Sequence, residues 1–340
     1  MRALVLAEIG RLAVEERAAA ALAPDEVRLR VVATGICGSD IHGFTGENGR
    51  RFPGQVMGHE TVGRVDAVGT KVSGVDIGAP ATFNPVVIPE SQSHEYRGRE
   101  QHSPDKTVIG VAPEIDAAFA DYVTVPARNI VSLPEDMPIE YGALIEPLAV
   151  AVHAVRRVLT PDVSRALVVG GGPIGQSAVI ALTMHGVKTV YVSELDPARR
   201  ALCERLGATV LDPKLGDVTS NVTRLGGLVD VAIDAVGISP TLRDAVSATK
   251  FGGSVCLVGM GSPELSLDAF RISTEERTIV GSFTYSAIDF TDAAMFVAHG
   301  DERFGELISR QVAPNEADAA FRSLASGDGT AGKVLVRFDR

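Results

Sequence analysis

The chain has 340 residues, 45% hydrophobic and 22% charged, with 35 Gly and no Trp, the make-up of a globular protein of about two domains that can bury a core unaided. Its 32 basic and 43 acidic residues leave a formal charge of −11, a poor match for nucleic acid or an anionic membrane surface. No apolar run reaches the ~18 residues of a membrane span, residues 1–6 are too short for a signal peptide, and Cys37, Cys203 and Cys256 cannot build a disulfide framework, so a cytoplasmic protein is expected.

Residues 1–6 read instead as a first strand. Through the first 130 residues Gly and Pro cut the chain into short apolar runs. Residues 27–33, 61–68 and 119–125 read as strands, and helical periodicity is nearly absent, which points to a β-rich domain. After Pro147 apolar residues fall at helical spacing over 148–159. Residues 166–170 are then apolar without alternation, as in a strand buried on both faces of a parallel sheet. Strands at 166–170, 189–193, 208–211, 229–234 and 254–258 alternate with helices at 173–185, 197–206 and 240–250, the pattern of a doubly wound α/β domain. Beyond Ser282, helices near 289–299 and 315–325 precede a last strand over 332–337. The expected organisation is a β-rich domain over 1–148 and 286–340 with an α/β domain inserted over 149–285.

The strand at 166–169 runs into Gly170-Gly171-Gly172-Pro173-Ile174-Gly175, a G-x-G-x-x-G turn. Gly170 allows the tight turn, Gly172 lets backbone approach a pyrophosphate, and Gly175 lets helix and strand pack closely; the helix N-terminus faces the phosphates. Glu194 ends the next strand 24 residues after Gly170, near the place of the acid that holds the adenosine ribose, and its charge favours NAD over NADP. Arg199 and Arg200 either flank that ribose or are solvated helix charges. Val236 and the Val258-Gly259 pair close later strands and are candidates for the nicotinamide half. The plainer alternative is a glycine turn that binds nothing.

Three further segments carry metal-ligating side chains: Gly35-Ile36-Cys37-Gly38-Ser39-Asp40-Ile41-His42, Gly58-His59-Glu60 and Ile145-Glu146-Pro147. Thiolate, imidazole and carboxylate are the ligand types of zinc, and three protein ligands with one open position make a catalytic site. Singly, Cys37 reads equally as a small buried apolar residue, His59 as a core histidine and Glu146 as a loop acid. Together, ahead of a dinucleotide turn, they resemble the zinc-dependent medium-chain dehydrogenase/reductase superfamily, over essentially the whole chain.

That resemblance implies an α/β protein: a GroES-like β-rich catalytic domain from both termini, with a Rossmann domain inserted. It implies that Cys37 and His59 bind one catalytic zinc, with Glu60 and Glu146 binding directly or through water. Ser39 and His42 match the proton-relay positions. Glutamate at 146, where many alcohol dehydrogenases have cysteine, together with Glu60, resembles the polyol branch. The expected reaction passes a hydride from a secondary alcohol of a polyol to NAD in a homo-oligomer, dimer or tetramer. Two departures stand out. The four cysteine places of the family's structural-zinc lobe hold Pro89, Gln92, Glu95 and Ser103, with His94 and His102 nearby, so the lobe is expected without its metal. Gly78-Ala79-Pro80-Ala81 replaces the common Gly-Asp-Arg-Val.

Phe44, Arg50, Arg51, Phe119, Phe283 and Tyr285 are candidates for pocket walls. Arg50-Arg51 either holds a phosphate or carboxylate on the substrate or is a solvated loop pair. A free polyol comes first as substrate; a sugar-alcohol phosphate or a threonine-type substrate is the alternative. A non-catalytic NAD-binding relative or a zinc-free reductase would lack ligand or relay residues that are present here.

Overall fold

Short apolar runs cut by Gly and Pro can satisfy their backbone N–H and C=O groups only against neighbouring strands, and the first 135 residues do so in the computed structural model, which describes residues 1–47 and 49–339. In order come β1 (Arg2–Glu8), β2 (Arg11–Glu16), β3 (Glu26–Gly35), α1 (Gly38–Thr45), β4 (Glu60–Val68), β5 (Pro80–Phe83), β6 (Val86–Val87), β7 (Thr107–Val108), β8 (Tyr122–Pro126) and β9 (Ile130–Ser132). Next is α2 (Ile145–Arg156), followed by β10 (Arg165–Val169), α3 (Pro173–Met184), β11 (Thr189–Ser193), α4 (Pro197–Arg205), β12 (Thr209–Leu211), α5 (Val218–Gly226), β13 (Val229–Asp234), α6 (Ser239–Ala248), β14 (Thr249–Leu257), α7 (Ala269–Thr274) and β15 (Thr278–Gly281). The chain ends with α8 (Ala287–Ala298), α9 (Arg303–Glu306), β16 (Ile308–Val312), α10 (Ala317–Ala325) and β17 (Lys333–Arg337). It divides into two compact units, Met1–Glu146 with Ser286–Arg340, and Pro147–Tyr285.

The first unit is built on β3, which pairs antiparallel with β4, β8 and β17 in a sheet of order β16-β17-β3-β4-β5-β9. The strand expected at 119–125 begins only at Tyr122. Before it, Ala117, Ala118 and Phe119 donate their N–H groups to the carbonyls of Val56, Gly58 and Met57, a loop rather than a sheet neighbour. Helical periodicity failed to reveal α1, which is only two turns long. Phe44 and Phe119 are not pocket walls. Their rings pack 5.5 and 5.7 Å from that of Phe321 and all three are buried. Each contributes about 1.5–3 kcal/mol as core.

The second unit holds a six-stranded, all-parallel sheet of order β12-β11-β10-β13-β14-β15. The unbroken apolar run is buried as expected: Ala166, Leu167, Val168 and Val169 of β10 are all buried. Helix starts are chemically marked. Pro173 and Pro197 open α3 and α4, where a missing N–H costs nothing. Asp196 and Asp217 cap α4 and α5 by accepting from the N–H groups of Arg199 and Ser220. α5 escaped the sequence reading because its inward side rests on Val218 and Val222 alone, too few to show a period.

Asp230 ties the entry of this sheet together. Its carboxylate accepts from Ser164 N (2.9 Å), Arg165 N (2.8 Å) and Lys250 Nζ (2.7 Å). Burial alone would raise its pKa, but those donors outweigh it and bring it down to about 2. A depressed carboxylate contributes stability above its unfolded pKa and loses it as pH falls through the folded value. Asp230→Asn is therefore expected to lower the unfolding free energy by about 1–2 kcal/mol at pH 7, allowing for screening. Denaturant titrations should show the deficit shrinking as pH falls from ~4 through about 2; a pH-independent deficit would mean the carboxylate charge is not what Asp230 contributes.

Candidate metal centre and dinucleotide-binding rim

In the first unit, Gly35 at the end of β3 lies opposite Glu60 on β4 and Leu335 on β17. The chain then turns into α1 with Cys37 as the capping residue, held by Asp40, whose Oδ2 accepts from Cys37 N at 3.1 Å. His59 stands just ahead of β4. This convergence places ligand atoms of Cys37, His59 and Glu60 within 4.8 Å of one another, the one such metal-competent group among the described residues. Glu146 is outside that group. It sits in the first turn of α2 rather than in a loop, is buried, and its charge acts on His59 and Lys333.

The cluster is walled by charges that pair across it. Glu60 is fully buried; its Oε1 accepts from Lys333 Nζ, while its Oε2 has no hydrogen-bond partner. Asp40 Oδ1 lies 3.7 Å from both His59 Nδ1 and Arg51 Nη2. Burial raises the Asp40 pKa against the pull of His59 and Arg51. Arg51 is therefore no solvated loop charge: it is 4% exposed and lies over Gly43, where an added Cβ would come 2.1 Å from its Cγ. Asp40, Arg51 and Lys333 were not singled out as ligand-shell residues from sequence. Asp40 had a signal, its position three residues into α1; the other two had none without the fold.

With Cys37 as thiolate, four anionic groups (Cys37, Asp40, Glu60, Glu146) face two cations (Arg51, Lys333). Groups that can carry negative charge thus outnumber the fixed cations, an excess that a divalent cation would offset. The same imbalance shows at His59, where burial lowers the pKa but Asp40, Cys37 and Glu146 overcome it and push it up to about 10. Thiolate, imidazole and carboxylate in a buried, anion-rich pocket suit zinc, and the unclaimed Oε2 of Glu60 is a donor in waiting. Ser39 and His42 lie one turn apart on α1. The Ser39 hydroxyl oxygen is buried, whereas the His42 side chain is 54% exposed with Nδ1 2.7 Å from Glu47 Oε2.

Within the lobe spanning 84–111, Ser103 Oγ donates to Gln92 Oε1 at 2.6 Å and Gln92 Nε2 to Asp105 Oδ2 at 2.5 Å, while His94 and His102 are exposed. Near the Gly78–Ala81 departure, Arg64 donates to Gly78 O and pairs with Glu135.

In the second unit, Gly170, Glu194, Val236, Val258 and Gly259 follow the carboxyl ends of parallel strands, Pro173, Ile174 and Gly175 open α3, and Arg199 lies in the first turn of α4. Gly170 adopts φ +96°, and a Cβ there would meet Val236. A Cβ on Gly175 would come 1.8 Å from Gly170 O, so helix and turn touch backbone to backbone, whereas one on Gly172 would meet nothing nearer than Arg199 Nη1 at 3.9 Å. Gly172 caps α3, Pro173 is its first residue and Ile174 follows in the first turn. Gln176, missed from sequence, holds the turn by donating to Gly171 O at 2.7 Å. Glu194 accepts from Gly171 N (2.6 Å) and Asp196 N (2.7 Å), which fixes its carboxylate beside the turn. Arg199 Nε is buried with no hydrogen-bond partner. Arg200 is not a solvated charge: it donates to Glu194 O and Leu195 O and pairs with Asp212. Val258 and Gly259 both donate to Asp234 O, and Gly237 and Gly259 approach so closely that a Cβ on either would clash.

Residues 23–135 match the alcohol dehydrogenase GroES-like domain, and 173–299 match the zinc-binding dehydrogenase family. The probable D-xylulose reductase A of Emericella nidulans is 31% identical over 344 aligned positions, covering 98% of this chain and 95% of the relative. The chain belongs to the zinc-dependent medium-chain dehydrogenases, in their polyol branch. It is an oxidoreductase that works with zinc and a nicotinamide dinucleotide. Two solved structures share the fold end to end. The 2R,3R-butanediol dehydrogenase of Bacillus subtilis is 28% identical with a TM-score of 0.89, covering 99% of both chains. A candidate zinc-binding dehydrogenase of Sinorhizobium meliloti 1021, bound to NADP, is 30% identical with a TM-score of 0.89, covering 99% of this chain and 98% of that one.

The glycine turn gives a discriminating test. Gly172→Ala fits the fold, so its stability should stay within about 0.5 kcal/mol of wild type, while nucleotide affinity, read by titration calorimetry, falls at least severalfold because the new methyl stands where backbone must approach phosphate. Unchanged affinity would move the pyrophosphate away from this dehydrogenase's glycine turn.

Proposed function

We propose that this protein oxidises a secondary hydroxyl of a small free polyol, with NAD as acceptor, at a single zinc held by Cys37, His59 and Glu60, with Glu146 as a further donor directly or through water. The observation that carries this is the convergence of half-buried Cys37 with buried His59 and Glu60, one carboxylate oxygen of Glu60 being left unclaimed. Zinc bound there supplies Lewis acidity of the kind that takes the pKa of a coordinated water from ~16 to about 7, and a bound nicotinamide supplies the hydride acceptor. The protein's own part is proton handling and orientation. Ser39 Oγ, buried in the first turn of α1, receives the proton shed by the substrate hydroxyl. His42, three residues on and on the same side of the helix, takes it on Nε2 and releases the Nδ1 proton outward to Glu47, whose carboxylate lies 2.7 Å away. Asp40 keeps the His59 ring oriented from behind.

NAD is preferred because the Glu194 carboxylate is pinned beside the turn by two backbone N–H groups, where a 2′-phosphate would meet its charge. Arg199, Val236, Val258 and Gly259 complete the rim, with Arg199 near the phosphates and the other three toward the nicotinamide. A solved relative carries NADP, so the preference rests on Glu194 and not on the family. Glu194→Ala should narrow the NAD-to-NADP ratio of kcat/KM; a ratio that does not move would place the adenosine ribose elsewhere.

The polyol reading draws on the relatives, whose names point to a ketopentose and a vicinal diol. The sugar-alcohol phosphate alternative is weakened by the burial of Arg51, whose guanidinium lies toward Asp40 at 3.7 Å. The full complement of ligand and relay residues speaks against a non-catalytic relative. A symmetric homo-oligomer follows the general preference for closed assemblies, and three unpaired cysteines suit a reducing cytoplasm. Among the described residues no helix is long and apolar enough to cross a membrane. With NAD and a panel of free polyols, vicinal diols, threonine and sugar-alcohol phosphates, NADH should form on free polyols, stop on chelation, and vanish in Cys37→Ala while NAD still binds. Silence across the panel with NAD bound would remove the polyol reading; a phosphate-only signal would replace it.

A further inference from the structure

Lys333 is 5% exposed, and its ammonium ends inside the cluster of acidic groups. A buried ammonium costs several kcal/mol unless it is paired. Its donors go to Glu60 Oε1 and to Ile36 O at 3.3 Å. Strand register fixes this placement: Leu335 and Glu60 both lie opposite Gly35, and Lys333 is two residues from Leu335 on the same side of β17. On the far side of the carboxylate, Gly35 leaves room that no other residue would. A Cβ there would stand 2.3 Å from Glu60 Oε2. One oxygen of Glu60 is thus tied to an ammonium and the other is bare.

We propose that Lys333 is a positioning residue that holds Glu60 to ligation through Oε2 alone and so tilts the site toward zinc over larger, oxygen-seeking divalent ions such as Mn²⁺. The proposal rests on the reading that Cys37, His59 and Glu60 hold the metal. Zinc is satisfied by four donors with one oxygen per carboxylate, whereas Mn²⁺ prefers six oxygens. A Glu60 released from Lys333 can offer both oxygens, which helps manganese more than zinc. The charge of Lys333 repels every divalent ion alike, so the ratio of two affinities isolates the coordination mode from electrostatics.

The test compares wild type, Lys333→Met and Lys333→Arg. The Zn²⁺/Mn²⁺ affinity ratio is read by equilibrium dialysis against metal buffers with elemental analysis, and the coordination number by the visible spectrum of the Co²⁺-substituted protein. Lys333→Met should lower the ratio about tenfold, the scale of changes behind a ligand, and weaken the cobalt bands as coordination number rises. Lys333→Arg should restore both. A lysine that serves stability alone would shift Tm and leave both readouts unmoved, and that result in folded Lys333→Met overturns the proposal. Should Lys333→Met fail to fold, the wild-type cobalt spectrum decides. Intense four-coordinate bands support one-oxygen ligation, and weak bands of higher coordination overturn it. A wild type that takes up no zinc would overturn the metal reading and this inference together, whereas zinc bound with an unmoved ratio would sink only the inference.

Discussion

Carboxylates stripped of water need their charge taken up by something, at a cost of several kcal/mol each if nothing does. Asp40, Glu60 and Glu146 are all buried close to the Cys37 thiol and the His59 ring, and much of the first unit is arranged around that constraint. Arg51 is drawn under α1 and needs Gly43 to be a glycine. Lys333 brings the last strand of the chain against the end of β3, and Gly35 must be bare for the Glu60 carboxylate to fit beside it. A site built this way carries an electrostatic cost that a bound cation would offset. The same burial that costs stability is what makes a Lewis acid effective there, because charge interactions weaken least where water is absent.

The second unit uses acidic side chains differently, as acceptors for backbone N–H groups that the sheet leaves unpaired at its strand ends. Glu194 receives Gly171 N and Asp196 N, and Asp234 receives Val236 N and Gly237 N. Each bond shapes a loop at the carboxyl edge of the parallel sheet, where ligands of such sheets bind. Glu194 therefore holds the glycine turn in addition to the proposed role of its charge at the ribose. A substitution there changes loop geometry as well as cofactor preference, so the nucleotide affinities of Glu194 variants have to be interpreted as ratios and not as single values.

What could be read from sequence was whatever depends on neighbours a few residues away. The glycine turn announced itself because Gly170, Gly172 and Gly175 answer to one strand and one helix. Cys37 and His59 stood out because each sits in a short patterned segment. Lys333 could not be found, since its partner Glu60 lies 273 residues away and the two meet only when β17 and β4 both pair with β3. For Arg51 and Arg200 the sequence offers only a ligand contact or a solvated charge, because it shows a charge and not the carboxylate or carbonyls it will meet. Phe44 and Phe119 were misassigned to a pocket for the same reason: their partner Phe321 comes from the opposite end of the chain.

The lobe at 84–111 shows what replaces a dominant interaction when it is absent from the chemistry available. A four-thiolate zinc contributes on the order of 10 kcal/mol to a fold; no hydrogen bond approaches that, each being worth about 1 kcal/mol net. Here the thiolate places hold Pro89, Gln92, Glu95 and Ser103, and Gln92 and Ser103 bond to each other with Asp105 as third member. That local triangle alone is too weak to fix the segment. The rest is supplied from outside it: Arg128 pairs with Glu90 and donates to Ile88 O, and Glu100 accepts from Gly98 N and from Ala287 N at the start of α8. Order that one ion would impose at a point is instead spread over contacts reaching both sequence segments of the unit. The lobe is thereby tied to the stability of the whole unit.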